Sequence, residues 1–286
     1  MQNPPKRVLQ SLQTLSKSKI EYLCSSYTSI TRDILKKMYI KLCNEIMGQD
    51  NCKKQIISNI YKLTSQKANK PVVVMLYGKS GIGKTESAKV ISESLGGNLL
   101  RIQFSMMQSN EAYNYVFGGE HSKSSFARDM IARETNVILI DEFDKVNSCF
   151  YNAFYELFDE GRFVDMNYEV DLKQAIFVCT SNYMNENDIK KALGPAMFSR
   201  IGCCIKFEDI SVEHKKQIIT STYQKIIERI DADEKVIISN SDILSWFLEN
   251  ASRYDNIRIM KTKLENAIFE RLTEQFIIED SESQTV

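Results

Sequence analysis

Between residues 46 and 208, short apolar runs alternate with segments whose apolar positions recur every three or four residues. The runs at 72–77, 99–104, 137–140, 175–180 and 203–207 predict strands. The periodic segments at 52–65, 85–95, 124–134, 149–158 and a short one at 188–193 predict helices. Strand and helix in regular alternation predict an α/β fold, a doubly wound parallel sheet of five core strands with helices on both faces. Between Arg162 and Asp171 the pattern changes to a period of two around a turn at 165–167, which predicts an inserted β-hairpin.

After Asp209 the strand pattern stops. Ser211-Val212-Glu213 opens a long amphipathic helix, and Ser241-Asp242 has the form of a cap for another. A third spans 259–277, with Met260, Leu264, Ala267, Ile268, Leu272 and Phe276 along one stripe. The expected organisation is a basic helical extension over 1–45, a large α/β domain over 46–208 and a small all-helical domain over 209–286. The last eight residues are polar and are expected to fray.

Composition narrows the function classes. The chain has 286 residues, 43% hydrophobic and 26% charged, with a formal net charge of zero. That balance argues against a protein that coats nucleic acid by bulk electrostatics. Basic residues dominate only the first 45 positions, where no acid precedes Glu21. Seven cysteines (Cys24, Cys43, Cys52, Cys149, Cys179, Cys203 and Cys204) show no zinc-ligand spacing, and reduced thiols in a cytoplasmic protein are the expectation. With only His121 and His214 present, a histidine-rich metal centre is excluded, and His214 is expected at the surface. No apolar stretch reaches the length of a membrane span.

The strongest chemical signal is Gly78-Lys79-Ser80-Gly81-Ile82-Gly83-Lys84-Thr85, placed between the first strand and a helix. Glycines let backbone N–H groups close around phosphates, Lys84 reaches the β- and γ-phosphates, and the Thr85 hydroxyl faces Mg²⁺. The start of the helix adds its positive dipole end. ATP and Mg²⁺ are therefore the expected cofactors. A second signal ends the third strand, where Asp141 and Glu142 follow an apolar run at the sheet edge that binds ligands. Asp141 suits the Mg²⁺ shell and Glu142 the attacking water.

In order, these motifs resemble those of AAA+ ATPases of the Clp/heat-shock unfoldase branch over roughly residues 46–275. Most specific are Asp141-Glu142-Phe143-Asp144-Lys145, then Leu157-Phe158-Asp159-Glu160-Gly161-Arg162, then Thr180-Ser181-Asn182. The resemblance implies a nucleotide-binding α/β domain followed by a helical lid. It also implies that Ile46 and Met47 pack on adenine, that Asn182 is the polar sensor between the carboxylates and the γ-phosphate, and that Arg200 is the arginine reaching a neighbouring subunit's nucleotide. Gly202 stands where an Asp commonly follows that arginine, and a solvated Arg200 is the alternative. Arg258 resembles a second sensor at the start of the last lid helix, although only the arginine of the usual Gly-Ala-Arg is present; a surface arginine is its alternative. The aromatic stretch before Gly118 and Gly119 occupies the family's substrate-gripping pore loop, with Tyr115 and Phe117 as the gripping side chains. The same rings would also suit a core lid over the sheet.

Together these readings predict an ATP-hydrolysing enzyme that works as a homo-oligomer, a hexamer by resemblance, and remodels, unfolds or threads a protein substrate or adaptor. A nucleotide-gated switch or loader acting on DNA, or in a defence or signalling complex, is the alternative. The family's tripeptide for docking a Clp peptidase is not found in a surface-loop context, so no peptidase partner is expected.

Overall fold

The computed structural model describes residues 5–14, 26–65, 67–104, 110–119 and 124–283; Glu21, Cys24, His121 and the Phe276 side chain lie outside this description. The chain divides into two compact units. One comprises Met1–Ile46, Asp50–Gly78 and Gly83–Phe207; the other comprises Met47–Gln49, Lys79–Ile82 and Glu208–Val286. Residues 26–45, expected in a separate extension, belong to the first of these.

The first unit opens with helices α1 (Lys6–Thr14), α2 (Arg32–Glu45) and α3 (Asp50–Ile60). Thr31 caps α2 by accepting from the Ile34 N–H, and Leu35, Met38 and Leu42 line its buried face at helical spacing. Then follow β1 (Val72–Tyr77), α4 (Lys84–Ser94), β2 (Leu100–Gln103), α5 (Asn110–Phe117), α6 (Phe126–Ala132), β3 (Val137–Asp141), α7 (Tyr151–Glu160), β4 (Arg162–Val164), β5 (Glu169–Asp171), β6 (Ile176–Ser181), α8 (Glu186–Phe198) and β7 (Cys203–Lys206). Five strands form an all-parallel sheet in the order β2-β3-β6-β1-β7. Every residue of β1, β3 and β6 is buried, as expected of parallel strands covered on both faces. Each fully buried aliphatic side chain there contributes about 1.5–3 kcal/mol by leaving water.

Strands β4 and β5 form the separate antiparallel hairpin, with Phe163 and Val170 facing in while Arg162 and Glu169 pair outside at 2.8 Å. The helix expected at 188–193 is longer. It runs to Phe198 across a kink, because Pro195 has no N–H to donate and Gly194 adopts φ 74°. The aromatic stretch expected as a loop is instead the helix α5, whose Ala112 and Val116, four apart, are buried together.

The second unit contains α9 (Val212–Ile227), α10 (Ala232–Ser239), α11 (Ile243–Glu249) and α12 (Ile257–Ser283). Its core joins Ile218, Ile219, Ile238, Phe247, Met260, Leu264 and Ile268. Helix α10 was not anticipated, although Asp231 and Glu234 form a reciprocal capping box whose Asp-x-x-Glu spacing is legible in the sequence. No helix among the described residues is long and apolar enough to cross a membrane.

Candidate functional site

The glycine-rich loop leaves the carboxyl end of β1, near the middle of the sheet, and runs into α4. Gly83 caps α4 with φ 108°, a backbone that strains any other residue. Lys84, the first residue of the helix, is 7% exposed. Its Nζ donates to the Gly78 carbonyl at 2.6 Å and to Asn182 Oδ1 at 3.2 Å. Burial lowers its pKa to about 8 against the opposing pull of Asp141, Asp144 and Glu142, so desolvation outweighs the attraction of the nearby carboxylates. Thr85 is half-buried beside it.

Two strands away, β3 delivers Asp141 and Glu142. Glu142 has φ 53°, a left-handed backbone that costs a non-glycine residue about 1–3 kcal/mol and is held here by its neighbours. Its N–H donates to Thr180 Oγ1 at 2.9 Å, and the Thr180 hydroxyl in turn donates to Asp141 Oδ1. Asn182 donates from Nδ2 to Glu142 Oε1 at 3.3 Å while its Oδ1 accepts from Lys84. One amide therefore bridges the loop lysine and the strand-end glutamate. Lys145 also pairs with Glu142 Oε1 at 3.0 Å, which raises the lysine above its ordinary value.

Two participants were not anticipated. Arg101 on β2 sets its guanidinium against Asp141, Nη2 to Oδ2 2.5 Å, and Thr180 joins Asp141 to the Glu142 backbone. Nothing in the sequence flagged Arg101, because its partner lies on an adjacent strand whose pairing is a tertiary outcome. Thr180 stood inside a motif already singled out, but only as part of its pattern. Asp144 has one carboxylate oxygen buried without a hydrogen-bond partner among the described residues, and burial raises its pKa.

Mg²⁺ takes hard oxygen ligands and in nucleotide sites uses one or two carboxylates plus substrate phosphates. Thr85, Asp141 and the unpartnered Asp144 oxygen supply oxygens of that kind. Among the described residues no group of three or more His, Cys, Asp or Glu forms a self-sufficient metal cage. The donor set fits an ion that arrives with a triphosphate.

The remaining expected site residues fall elsewhere. Ile46, the C-cap of α2, is buried in the first unit, with Cγ2 3.5 Å from where a Cβ on Gly83 would stand. Met47 packs against the core of the second unit, so the expected adenine-facing pair is divided between the two units. Gly48 abuts the His214 ring, which makes His214 half-buried rather than the surface residue expected. Ser80 and Ile82, with Lys79 and Gly81, group with the helical unit. There Lys79 pairs with Asp209 at 2.5 Å, and Asn256 Oδ1 occupies the space that a Cβ on Gly81 would take. Asn256 also accepts from the Arg258 N–H at 2.9 Å at the start of α12, and Arg258 is exposed.

Arg200 stands apart from the Lys84–Asn182–Glu142 cluster and is tied to Asp159. Tyr115 and Phe117 require a correction, because both rings pack against the core instead of standing free on a loop. Tyr115 donates to Asp129 Oδ2 at 2.7 Å and meets Phe104 edge-on, and burial raises its hydroxyl pKa strongly. Phe117 packs on Phe150 and Tyr113. The helical period turns Tyr113 outward instead, 57% exposed.

A parallel sheet with a phosphate loop after its fourth strand in spatial order, and an acid pair two strands away, defines a P-loop ATPase. Residues 69–232 match the family described as AAA domain (Cdc48 subfamily), and the chain belongs to these AAA+ ATPases. It is similar to the chaperone protein ClpB of Malacoplasma penetrans (strain HF-2), 25% identical over 279 residues that cover 87% of this chain and 39% of that protein. It is also similar to the ATP-dependent Clp protease ATP-binding subunit ClpL of Staphylococcus aureus (strain MRSA252), 24% identical over 271 residues, 85% of this chain and 38% of that protein. A third relative, the ClpB of Enterococcus faecalis (strain ATCC 700802 / V583), is 23% identical over 253 residues, covering 77% of this chain and 29% of that protein. The chain thus spans about two fifths or less of the length of these relatives.

Proposed function

We propose that the chain is the motor module of a ring-forming assembly, a hexamer of identical copies, that uses Mg²⁺-ATP hydrolysis to remodel or thread protein substrates. The observation that carries this reading is the Asn182 bridge between Lys84 and Glu142, which links the phosphate-contacting cation to the water-orienting carboxylate. Lys84 would bind the β- and γ-phosphates, and the loop N–H groups would hold them in place. Thr85 and Asp141 would hold the ion's shell, and Mg²⁺ when bound neutralises charge developing on the phosphates. Glu142 would orient water, Asn182 would set the angle of Glu142, and Arg200 of a neighbouring copy would complete the site. The chaperone names of the relatives support a protein substrate over DNA. No disulfide joins cysteines among the described residues, which fits a reducing, cytoplasmic setting.

The test compares Lys84→Ala with Glu142→Gln. Lys84→Ala should abolish ATP binding, whereas Glu142→Gln should retain ATP, lose hydrolysis and form rings visible by electron microscopy with ATP present. Normal turnover in Glu142→Gln would refute the assignment of the water-orienting residue, and a protein that stays monomeric with ATP would refute the ring.

A further inference from the structure

The Arg200 side chain is held at three points by two helices. Helix α8 ends at Phe198, and the Arg200 N–H donates to the Met197 carbonyl at 3.1 Å in the turn that leads to β7. Its Nη1 donates to the Ala196 carbonyl at 2.7 Å. From α7, Asp159 Oδ2 accepts from Nε at 2.8 Å and the Tyr155 ring lies under the guanidinium, 4.2 Å from Cζ to centroid. Tyr155 and Asp159 are four residues apart, so they share one face of α7, and Tyr155 is packed against the core. The platform beneath Arg200 is therefore part of the folded body.

This arrangement orients the side chain without using all of its donors. A carboxylate that took two guanidinium N–H groups at once would hold the cation bidentately and more tightly. Here the carboxylate is met through Nε, and Nη2 makes no hydrogen bond among the described residues. The Arg200 side chain is 26% exposed and that of Asp159 45%, so the pair is partly screened and its main effect is directional. Stacking on a ring fixes the guanidinium plane and keeps its charge.

We propose that Asp159 and Tyr155 are positioning residues that hold Arg200 ready for the triphosphate bound to a second copy of this chain. The inference rests on the reading of Arg200 as an arginine acting between copies. Pre-orientation removes rotamer freedom that a long side chain would otherwise lose at the moment of phosphate contact.

The experiment measures steady-state ATP hydrolysis of the full chain for Arg200→Ala, Asp159→Ala, Tyr155→Leu and Tyr155→Phe. Arg200→Ala should lose at least about a hundredfold in kcat, since such an arginine is worth roughly 10³–10⁵ in related chemistry. Asp159→Ala and Tyr155→Leu should each lose about tenfold in kcat, with the KM for ATP unchanged within twofold. Tyr155→Phe, which keeps the ring, should restore most of the loss seen in Tyr155→Leu. Adding Glu142→Gln copies, whose Asp159 and Arg200 are intact, should raise the rate of Asp159→Ala copies; a fold defect confined to the mutated copy would not be rescued. Wild-type turnover in Asp159→Ala beside an inactive Arg200→Ala would overturn the positioning role alone. Faster turnover in Asp159→Ala would mean that the carboxylate restrains the arginine, and would overturn it too. Wild-type turnover in Arg200→Ala would bring down both the inference and the reading on which it rests.

Discussion

Arg101 and Asp141 are joined at 2.5 Å across adjacent strands, so the carboxylate expected to face a metal shell also faces a fixed protein cation. Like-signed charges compete for one carboxylate, and the Arg101 side chain, half exposed, competes weakly because water screens it. Arg101→Met should lower the Mg²⁺ concentration that half-saturates ATP binding by about threefold, an energy of under about 1 kcal/mol. Titrating Mg²⁺ against a fluorescent ATP analogue measures this directly. A higher requirement would show that Arg101 serves to orient Asp141.

Lys84 carries a pH signature. With its pKa lowered to about 8 by burial, much of the free protein has a neutral Lys84 at pH 8.5, and a bound triphosphate would restore the proton. ATP binding should therefore take up protons near pH 8.5 and weaken as pH rises beyond 8. Calorimetry in two buffers of different ionisation enthalpy detects the uptake. The same shift has a stability consequence of fixed sign: from about pH 8 to the ordinary lysine range, the unfolded chain binds more protons than the folded one. In that window this group makes stability rise with pH, which urea melts of wild type and Lys84→Met would compare.

Thr180, 2% exposed, holds both acidic residues through one hydroxyl. Thr180→Val keeps the shape and deletes that link. Leaving a buried partner unsatisfied costs about 1–3 kcal/mol, so the melting temperature should fall by several degrees. Hydrolysis should fall more than ATP affinity, because Glu142 loses the bond that fixes its left-handed backbone. Thermal melting beside ATPase kinetics separates the two effects, and an unchanged kcat would dismiss Thr180 from the site.

The aromatic helix separates packing from grip. Tyr115→Ala with Phe117→Ala removes two rings that pack against the core, and buried aromatic truncations cost about 3–5 kcal/mol each, so the double variant should melt well below wild type even with both rings only partly buried. Tyr113→Ala, at an exposed ring, should leave melting within a degree or two. If α5 touches substrate, Tyr113→Ala should impair remodelling of an unfolded protein while basal ATPase persists. Normal remodelling would remove α5 from substrate contact.

Much of the α/β unit was legible because its signals are local. The phosphate loop is eight consecutive residues, and its glycines and lysine mean the same thing in any chain that places them between a strand and a helix. The hairpin at 162–171 announced itself by a period of two. Around α5 the local sequence is ambiguous, because Gly118 and Gly119 follow its aromatics as they would in the loop that the resemblance implies, while the deciding fact, the burial of Ala112 and Val116 on one helical face, depends on what lies beneath. The continuous apolar runs marked these strands as buried on both faces, and their regular alternation with helical segments pointed to a parallel sheet joined by helical crossovers. Tertiary structure alone decided who their neighbours are. The order β2-β3-β6-β1-β7 brings Arg101 to Asp141, Thr180 to Glu142 and Asn182 between Lys84 and Glu142, pairs separated by 40, 38, 98 and 40 residues. Strand order follows from how the helices pack on the whole sheet, a sum over many small contacts that no short stretch of sequence contains.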